Sequence, residues 1–273
     1  ETGMKVRNTP GNIIKVKFDP NLNIKGIFPN TFRSVFKGKQ FILELPDTLE
    51  TISDSAFAGC DFISIKFNNK LKSIGNYAFS GNKSLSSVSL NYGVETLGNR
   101  TFADGSITSI TLPNTLKSIG DNCFRSNKIT EVSLPSSLTT VGINAFRNNQ
   151  ISRVDFGNYY NVRGSLKAGN GEDFGPASNG GDNPGDALMG EVNNQFIIPN
   201  GMFAYNKLTS LTLPTNIKAI GNQAFIGNDI TDINIPASVE VIYNEAFLRS
   251  YEKFNSNFRA RPVSYTHLRA HET

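Results

Sequence analysis

The sequence lacks tryptophan altogether and holds only two cysteines and two histidines in 273 residues. Both histidines, His267 and His271, stand at the far C-terminal end, so the body of the chain has no imidazole. That removes the usual general base for a Ser or Cys nucleophile. Neither a G-x-x-x-x-G-K-[ST] phosphate loop nor an H-E-x-x-H zinc motif is present. Two cysteines without histidine supply too few ligands for a structural zinc site. Charged residues make up 18%, below the usual quarter, and no apolar run reaches the 18 residues of a membrane helix. The net charge of +4 comes from Lys and Arg scattered singly, which is not a nucleic-acid footprint. The composition therefore speaks against an enzyme and a cofactor, and against nucleic-acid binding and membrane insertion.

The two ends are set apart from the rest. Residues 1–3 read as a scar left by an expression vector, and residues 263–273 as a translated sequencing-library adapter. Residues 4–262 are then expected to form a single domain.

What the sequence has in plenty is Phe, Gly and Asn. A Phe preceded by a small or polar residue recurs at Phe32, Phe57, Phe79, Phe102, Phe124, Phe146, Phe203, Phe225 and Phe247. The spacing is 22 to 25 residues except for one gap of 57, which is 35 longer than one 22-residue period. The expectation is about nine coils with one insertion, at about 157–194. One coil runs Ile107, Ile110, Leu112, Pro113, Leu116, Ile119, Gly120, Phe124, Asn127, and Leu208 to Asn228 repeats it almost letter for letter. A period of 20–29 residues with an L-x-x-L-x-L core is the leucine-rich-repeat signature.

Each residue type has a physical place in such a coil. The alternation around Ile110 and Leu112 predicts a half-buried strand. Pro113 cannot donate to a ladder and ends it. Leu116 and Ile119 point inward from the return arm, and Gly120 supplies a tight bend or a positive φ. Phe124 and its equivalents are expected to stack as an aromatic spine. Asn127, with Asn82, Asn149, Asn206 and Asn228, is expected to satisfy buried backbone groups in the turn. The predicted fold is an α/β solenoid: a right-handed coil array with a parallel sheet on its concave face and irregular or short helical return arms. Cys60 and Cys123 fall three coils apart, about 14 Å at sheet spacing, too far for a disulfide. They are expected to be free and buried.

The arrangement L-P-x-x-L-x-x-I-G-x-x-A-F-x-x-N resembles the BspA-like, or Treponema pallidum-type, leucine-rich repeats. The best copies are 107–127, 129–149, 208–228 and 230–247, and the Asn column is interrupted at Cys60 and Gly105. The resemblance implies a secreted or cell-surface protein used in adhesion, with an extracellular or cell-surface protein as partner. It carries no catalytic residues to transfer.

Residues flanking the inward aliphatics of each strand form the candidate binding face. The pairs are Ile42/Glu44, Ser64/Lys66, Ser87/Ser89, Ser109/Thr111, Glu131/Ser133, Arg153/Asp155, Ser210/Thr212 and Asp232/Asn234. Half are small hydroxyl residues, and the set is read either as a solvated sheet face or as a shallow platform for a partner. Arg153 between carboxylates is either a cross-strand ion pair or a ligand contact. The insertion is expected to leave from the strand side or its rim. It opens with Tyr159 and Tyr160, which are either contact anchors or cover for the strand edge. Its Glu172, Asp173, Asp182 and Asp186 are a candidate Ca²⁺ set, without EF-hand spacing. Asn82 and Asn99 head N-glycosylation patterns, Asn82 within the buried ladder. The reading is a non-catalytic, monomeric adhesion module that uses the concave face and the insertion. Alternatives are a spacer that presents another domain, or a glycan-binding repeat, which would call for aromatics on the sheet.

Overall fold

The computed structural model describes residues 4–9, 13–157, 163–164, 196–243 and 245–248, with 4–9 and 163–164 described by backbone only. Tyr159, Tyr160, Glu172, Asp173, Asp182 and Asp186 lie outside the described residues, as do both chain ends.

Each coil contributes two strands. The front row begins with an antiparallel pair, Met4–Thr9 against Ile13–Phe18. Parallel strands Gln40–Glu44 and Phe62–Lys66 follow. The row continues through Ser87–Ser89, Ser109–Thr111, Glu131–Ser133, Arg153–Asp155, Ser210–Thr212 and Asp232–Asn234. An antiparallel first strand gives the open edge of a parallel ladder a partner.

The return arms differ from expectation. No helix occurs among the described residues. Each arm instead carries a two-residue strand, and these form a second parallel row. Seven of them, from Gly26–Ile27 to Arg163–Gly164, make one sheet, and Ile197–Ile198, Ala219–Ile220 and Val241–Ile242 make another. The backbone around the Phe column explains why helix is excluded. Residues two before and two after each Phe from Phe32 to Phe225 take positive φ, as at Asn122 (55°) and Ser126 (55°) around Phe124. A left-handed residue every fourth position cannot continue a right-handed helix. It turns alternate N–H groups toward the next coil: Asn122, Phe124 and Ser126 donate to the carbonyls of Ile143, Ala145 and Arg147.

The interior matches the expected columns. Nine Phe rings from Phe32 to Phe247 lie near-parallel, with successive centroids 5.2 to 5.9 Å apart. That separation exceeds ring thickness, so the stack is offset, the arrangement aromatic quadrupoles favour. Each buried ring contributes roughly 1.5–3 kcal/mol by removal from water.

The Asn column works as a staple between coils. Asn127 Nδ2 donates to Phe102 O at 2.8 Å and to Phe124 O at 3.1 Å, while its Oδ1 accepts the Ile107 N–H at 3.0 Å. Asn149, Asn206 and Asn228 repeat this geometry. At the interruptions, Cys60 Sγ takes over the donor role to Phe32 O at 3.2 Å. At Gly105 a Cβ would stand 2.7 Å from Asn127 Oδ1, so the glycine clears room for the neighbouring staple. Both cysteines are free and buried.

The role expected for Gly120 needs correction. It has no positive φ. A Cβ there would lie 2.5 Å from Gly98 C and 2.6 Å from Asn99 N and Oδ1. The glycine permits close approach of the preceding coil. What approaches is a second, exposed Asx ladder: Asp54 accepts from Asn76 N, Asn76 from Asn99 N, Asn99 from Asp121 N, and Asp121 from Ile143 N, at 2.7 to 2.8 Å.

Candidate functional site

The alternation of the front strands decides which side chains face out. Val88, Val132 and Leu211 are buried under the sheet, and Ile110, Val154 and Ile233 pack on the same core. Their neighbours point away. Ser109, Thr111, Glu131, Ser133, Arg153, Asp155, Ser210, Thr212, Asp232 and Asn234 are all exposed. Parallel register places them in two columns. Glu131 stands beside Arg153 and Ser133 beside Asp155. Ser210 stands beside Asp232 and Thr212 beside Asn234. Among the described residues of these columns none is aromatic.

Arg153 Nη2 lies 3.4 Å from Glu131 Oε2, with both side chains mostly exposed. The ion-pair reading of Arg153 thus holds, and such a pair contributes about 1 kcal/mol or less. Asp155 accepts the Gly157 N–H at 2.8 Å and fixes the end of its strand.

Two features of this face escaped the repeat pattern. A third exposed column precedes each strand: Ser86, Thr108, Thr130, Ser152, Thr209 and Thr231. Its hydroxyls turn back on the array, as where Thr108 Oγ1 donates to Ser86 O at 3.0 Å and Thr231 Oγ1 to Thr209 O at 3.3 Å. The face also starts earlier than Ile42. Lys15 registers with Ile42, and Lys17 with Glu44. The Lys17 ammonium pairs with the Glu44 carboxylate at 2.5 Å. The alternation of Ile13 to Phe18 was the signal available for this strand.

The insertion starts at the strand end, at Gly157, and its next described residues join the return row. Arg163–Gly164 pairs with Thr140–Val141 in the return row. The chain re-enters at Ile197–Ile198, which pairs with Ala219–Ile220 of the same row. Its described residues thus run from the strand end at Gly157 to the return row. Phe146 and Phe203 still stack at 5.5 Å across the interruption. Asn144, Phe146 and Asn148 donate to Asn200, Met202 and Ala204. Pro199 occupies the position that is Gly142 one coil earlier and Gly221 one coil later.

Remaining chemistry is sparse. Among the described residues no three of His, Cys, Asp and Glu are grouped to hold a metal ion. No helix of the described residues is long and apolar enough to cross a membrane. Burial pushes the Cys123 thiol up to about 12 and also raises Cys60, which leaves both as thiols. Asn82 is held by two carbonyls, as the ladder requires. Asn99 is exposed, but Thr101 of its pattern is buried, with its hydroxyl donating to Gly98 O at 2.8 Å and Gly75 O at 3.1 Å.

The stacked coils, the two ladders and the inward aliphatic columns define a leucine-rich-repeat β-solenoid. The chain belongs to the BspA-type leucine-rich-repeat family, whose model matches residues 50–165 and 191–256 in six copies. A leucine-rich repeat protein from Eubacterium ventriosum aligns at 16% identity and TM-score 0.54, over 91% of this chain and 62% of that one. The leucine-rich repeat protein of T. pallidum aligns at 21% identity and TM-score 0.46, over 56% of this chain and 79% of that one. At 16% identity the likeness to the Eubacterium protein is one of fold. The sequence has no match among curated proteins.

Proposed function

We propose that this chain is a non-catalytic, extracellular protein-binding module that adheres through its strand face. The observation that carries the reading is the front row itself. Ten side chains at the predicted positions are exposed together on neighbouring strands, in register within each paired set. Hydroxyl groups in such a ladder both donate and accept, which suits a wet, polar interface. The absence of an aromatic from these described columns favours a protein partner over a glycan. The family resemblance supports the extracellular setting. The segment between Gly164 and Phe196 is a second contributor to binding in this proposal.

The experiment is a screen of the purified chain against extracellular proteins, followed by two variants tested on each hit. One carries Ser109→Lys, Thr111→Lys, Ser210→Lys and Thr212→Lys; the other lacks residues 166–194. Both should keep the cooperative unfolding of the parent. Loss of binding in the first variant supports the strand face. Binding that survives those four lysines overturns it, and binding that survives the deletion removes the insertion from the site.

A further inference from the structure

The two columns that join coil to coil change character in the coil of Phe32. In the glycine column, a Cβ at Gly75, Gly98, Gly120 or Gly142 would press on the preceding coil. Tyr243 stands in the same column and is buried in a cluster with Ile197 and Ala219, from the two coils before it. Side chains of this column therefore point toward the preceding coil. The Asn column points the same way: Asn127 donates to Phe102 O, and Cys60 to Phe32 O. In the coil of Phe32 these two positions hold Phe28 and Val35. Before that coil the described residues hold only Met4–Thr9, which pairs in the front row. The return row ends at Gly26–Ile27. Phe28 is 79% and Val35 56% exposed. Both project from the end of the array, and among the described residues no coil covers them.

The coil that carries them is basic. Residues 19–39 hold Lys25, Arg33, Lys37 and Lys39, all exposed, against Asp19 alone. Lys25 is partly neutralised by Glu50 at 3.6 Å. The next coil, residues 40–61, reverses the sign: Glu44, Asp47, Glu50, Asp54 and Asp61, with no Lys or Arg. A plane that touches the end of the array meets the cations first. The carboxylates lie one coil, about 4.8 Å, behind them. Screening over ~8 Å at physiological ionic strength weighs the nearer layer more. The same plane brought up to the side of the array meets both signs together. The layering therefore favours an anionic surface, approached end-on.

We infer that this end of the array docks on an anionic lipid bilayer. Phe28 and Val35 enter the boundary between headgroups and acyl chains, and Arg33, Lys37 and Lys39 meet the headgroup phosphates. Apolar side chains accompanied by Lys and Arg are the composition of interfacial membrane contacts, and each cation near an anionic leaflet adds to the attraction. A protruding ring finds in a bilayer a medium that closes around it, with no shaped pocket required. A second copy presenting the same end would set the cations against each other. The contact is peripheral and reversible, and no helix of the described residues is long and apolar enough to cross the membrane. It is separate from the strand face. An array standing on this end holds its front rungs one above another, open to a partner.

The chain has no tryptophan, so Phe28→Trp puts a lone fluorescent reporter in the contact. Its emission should shift to the blue when the full chain meets vesicles of equal parts phosphatidylcholine and phosphatidylglycerol. Phosphatidylcholine alone should leave it unshifted. Co-sedimentation of the parent chain should show the same lipid dependence. The parent should be released near 1 M salt, where the screening length falls to about 3 Å. Phe28→Ala should weaken binding about tenfold. Arg33→Glu combined with Lys37→Glu should weaken it more, about a hundredfold. These side chains are exposed, so the variants should keep the parent's unfolding transition. An unshifted emission with the anionic vesicles, or vesicle binding that Phe28→Ala leaves unchanged, overturns the inference. Polyglutamate that displaces the vesicles and gives the same blue shift assigns this end to an acidic protein, and overturns the bilayer.

Discussion

Gly120 and Gly81 are the same residue for different reasons. Gly120 stands where a Cβ would press to 2.5 Å from the backbone of the preceding coil, at an ordinary φ. Gly81 has φ of 72° and its nearest neighbour to a Cβ is 3.7 Å away. Substitution by alanine separates the two. Gly81→Ala carries only the left-handed backbone cost, about 1–2 kcal/mol. Gly120→Ala forces two coils apart and should cost more, roughly 3 kcal/mol. Urea unfolding of both variants gives the comparison, and an equal loss would place both glycines in one class. The sequence shows the glycine column plainly, yet its period does not distinguish a strained φ from a close approach. That distinction needs the position of the neighbouring coil. The Asn column, by contrast, was legible, because an amide three residues past a buried Phe has few other groups to satisfy. Cys60 was legible only as a gap, and its thiol donates to the carbonyl of the previous Phe, the role an Asn fills elsewhere.

At the scale of elements, the return row was the unseen part. Its strands are two residues long, too short for alternation to register as a pattern. A charge column beside it also went unread. Lys25, Glu50, Lys72, Glu95 and Lys117 alternate in sign from coil to coil. Lys25 meets Glu50 at 3.6 Å, while Glu95 meets Lys72 at 3.5 Å and Lys117 at 2.7 Å; Lys218 and Glu240 repeat the pairing at 2.6 Å. The hydrogen bond from Lys117, then its charge, holds the Glu95 carboxyl below its ordinary range. A carboxyl with a folded pKa below its unfolded value of about 4.3 adds stability above that value. The contribution is lost as pH falls through the folded pKa. Urea midpoints of the parent and Glu95→Gln should differ at neutral pH and converge in acid, with the gap narrowed by salt. A gap that persists in acid would show that Glu95 acts through packing. A coil shifted by one would set like charges side by side, so the alternation also protects the order of the array.

At the scale of the molecule, the Phe side of the array carries directly across the interruption. The Phe stack, the alternating N–H bonds and the Asn206 staple all cross from the Phe146 coil to the Phe203 coil. In the return row, Arg163–Gly164 takes the place beside Thr140–Val141. In a solenoid each coil is stabilised by its neighbours, so these contacts decide whether the halves belong together. A protease site placed within 166–194 tests this. After cleavage the two pieces should co-elute on size exclusion and unfold in one transition. Separate elution would make the interruption a domain boundary.

The sequence by itself determined the repeat length, the inward columns, the free cysteines and the ten exposed front positions. These are local consequences of period and polarity, fixed by which side chains can be buried in each turn. Tertiary structure decided which ladder each residue joins, since a hydrogen-bond partner 22 or 55 residues away is set by stacking and not by sequence proximity. It set Arg163–Gly164 of the insertion, and Ile197–Ile198 after it, in the return row. It also laid the front rungs side by side, and only in that order do Lys17 and Glu44, or Glu131 and Arg153, become pairs. A charge field is a sum over positions in space, so it exists only once the coils are stacked.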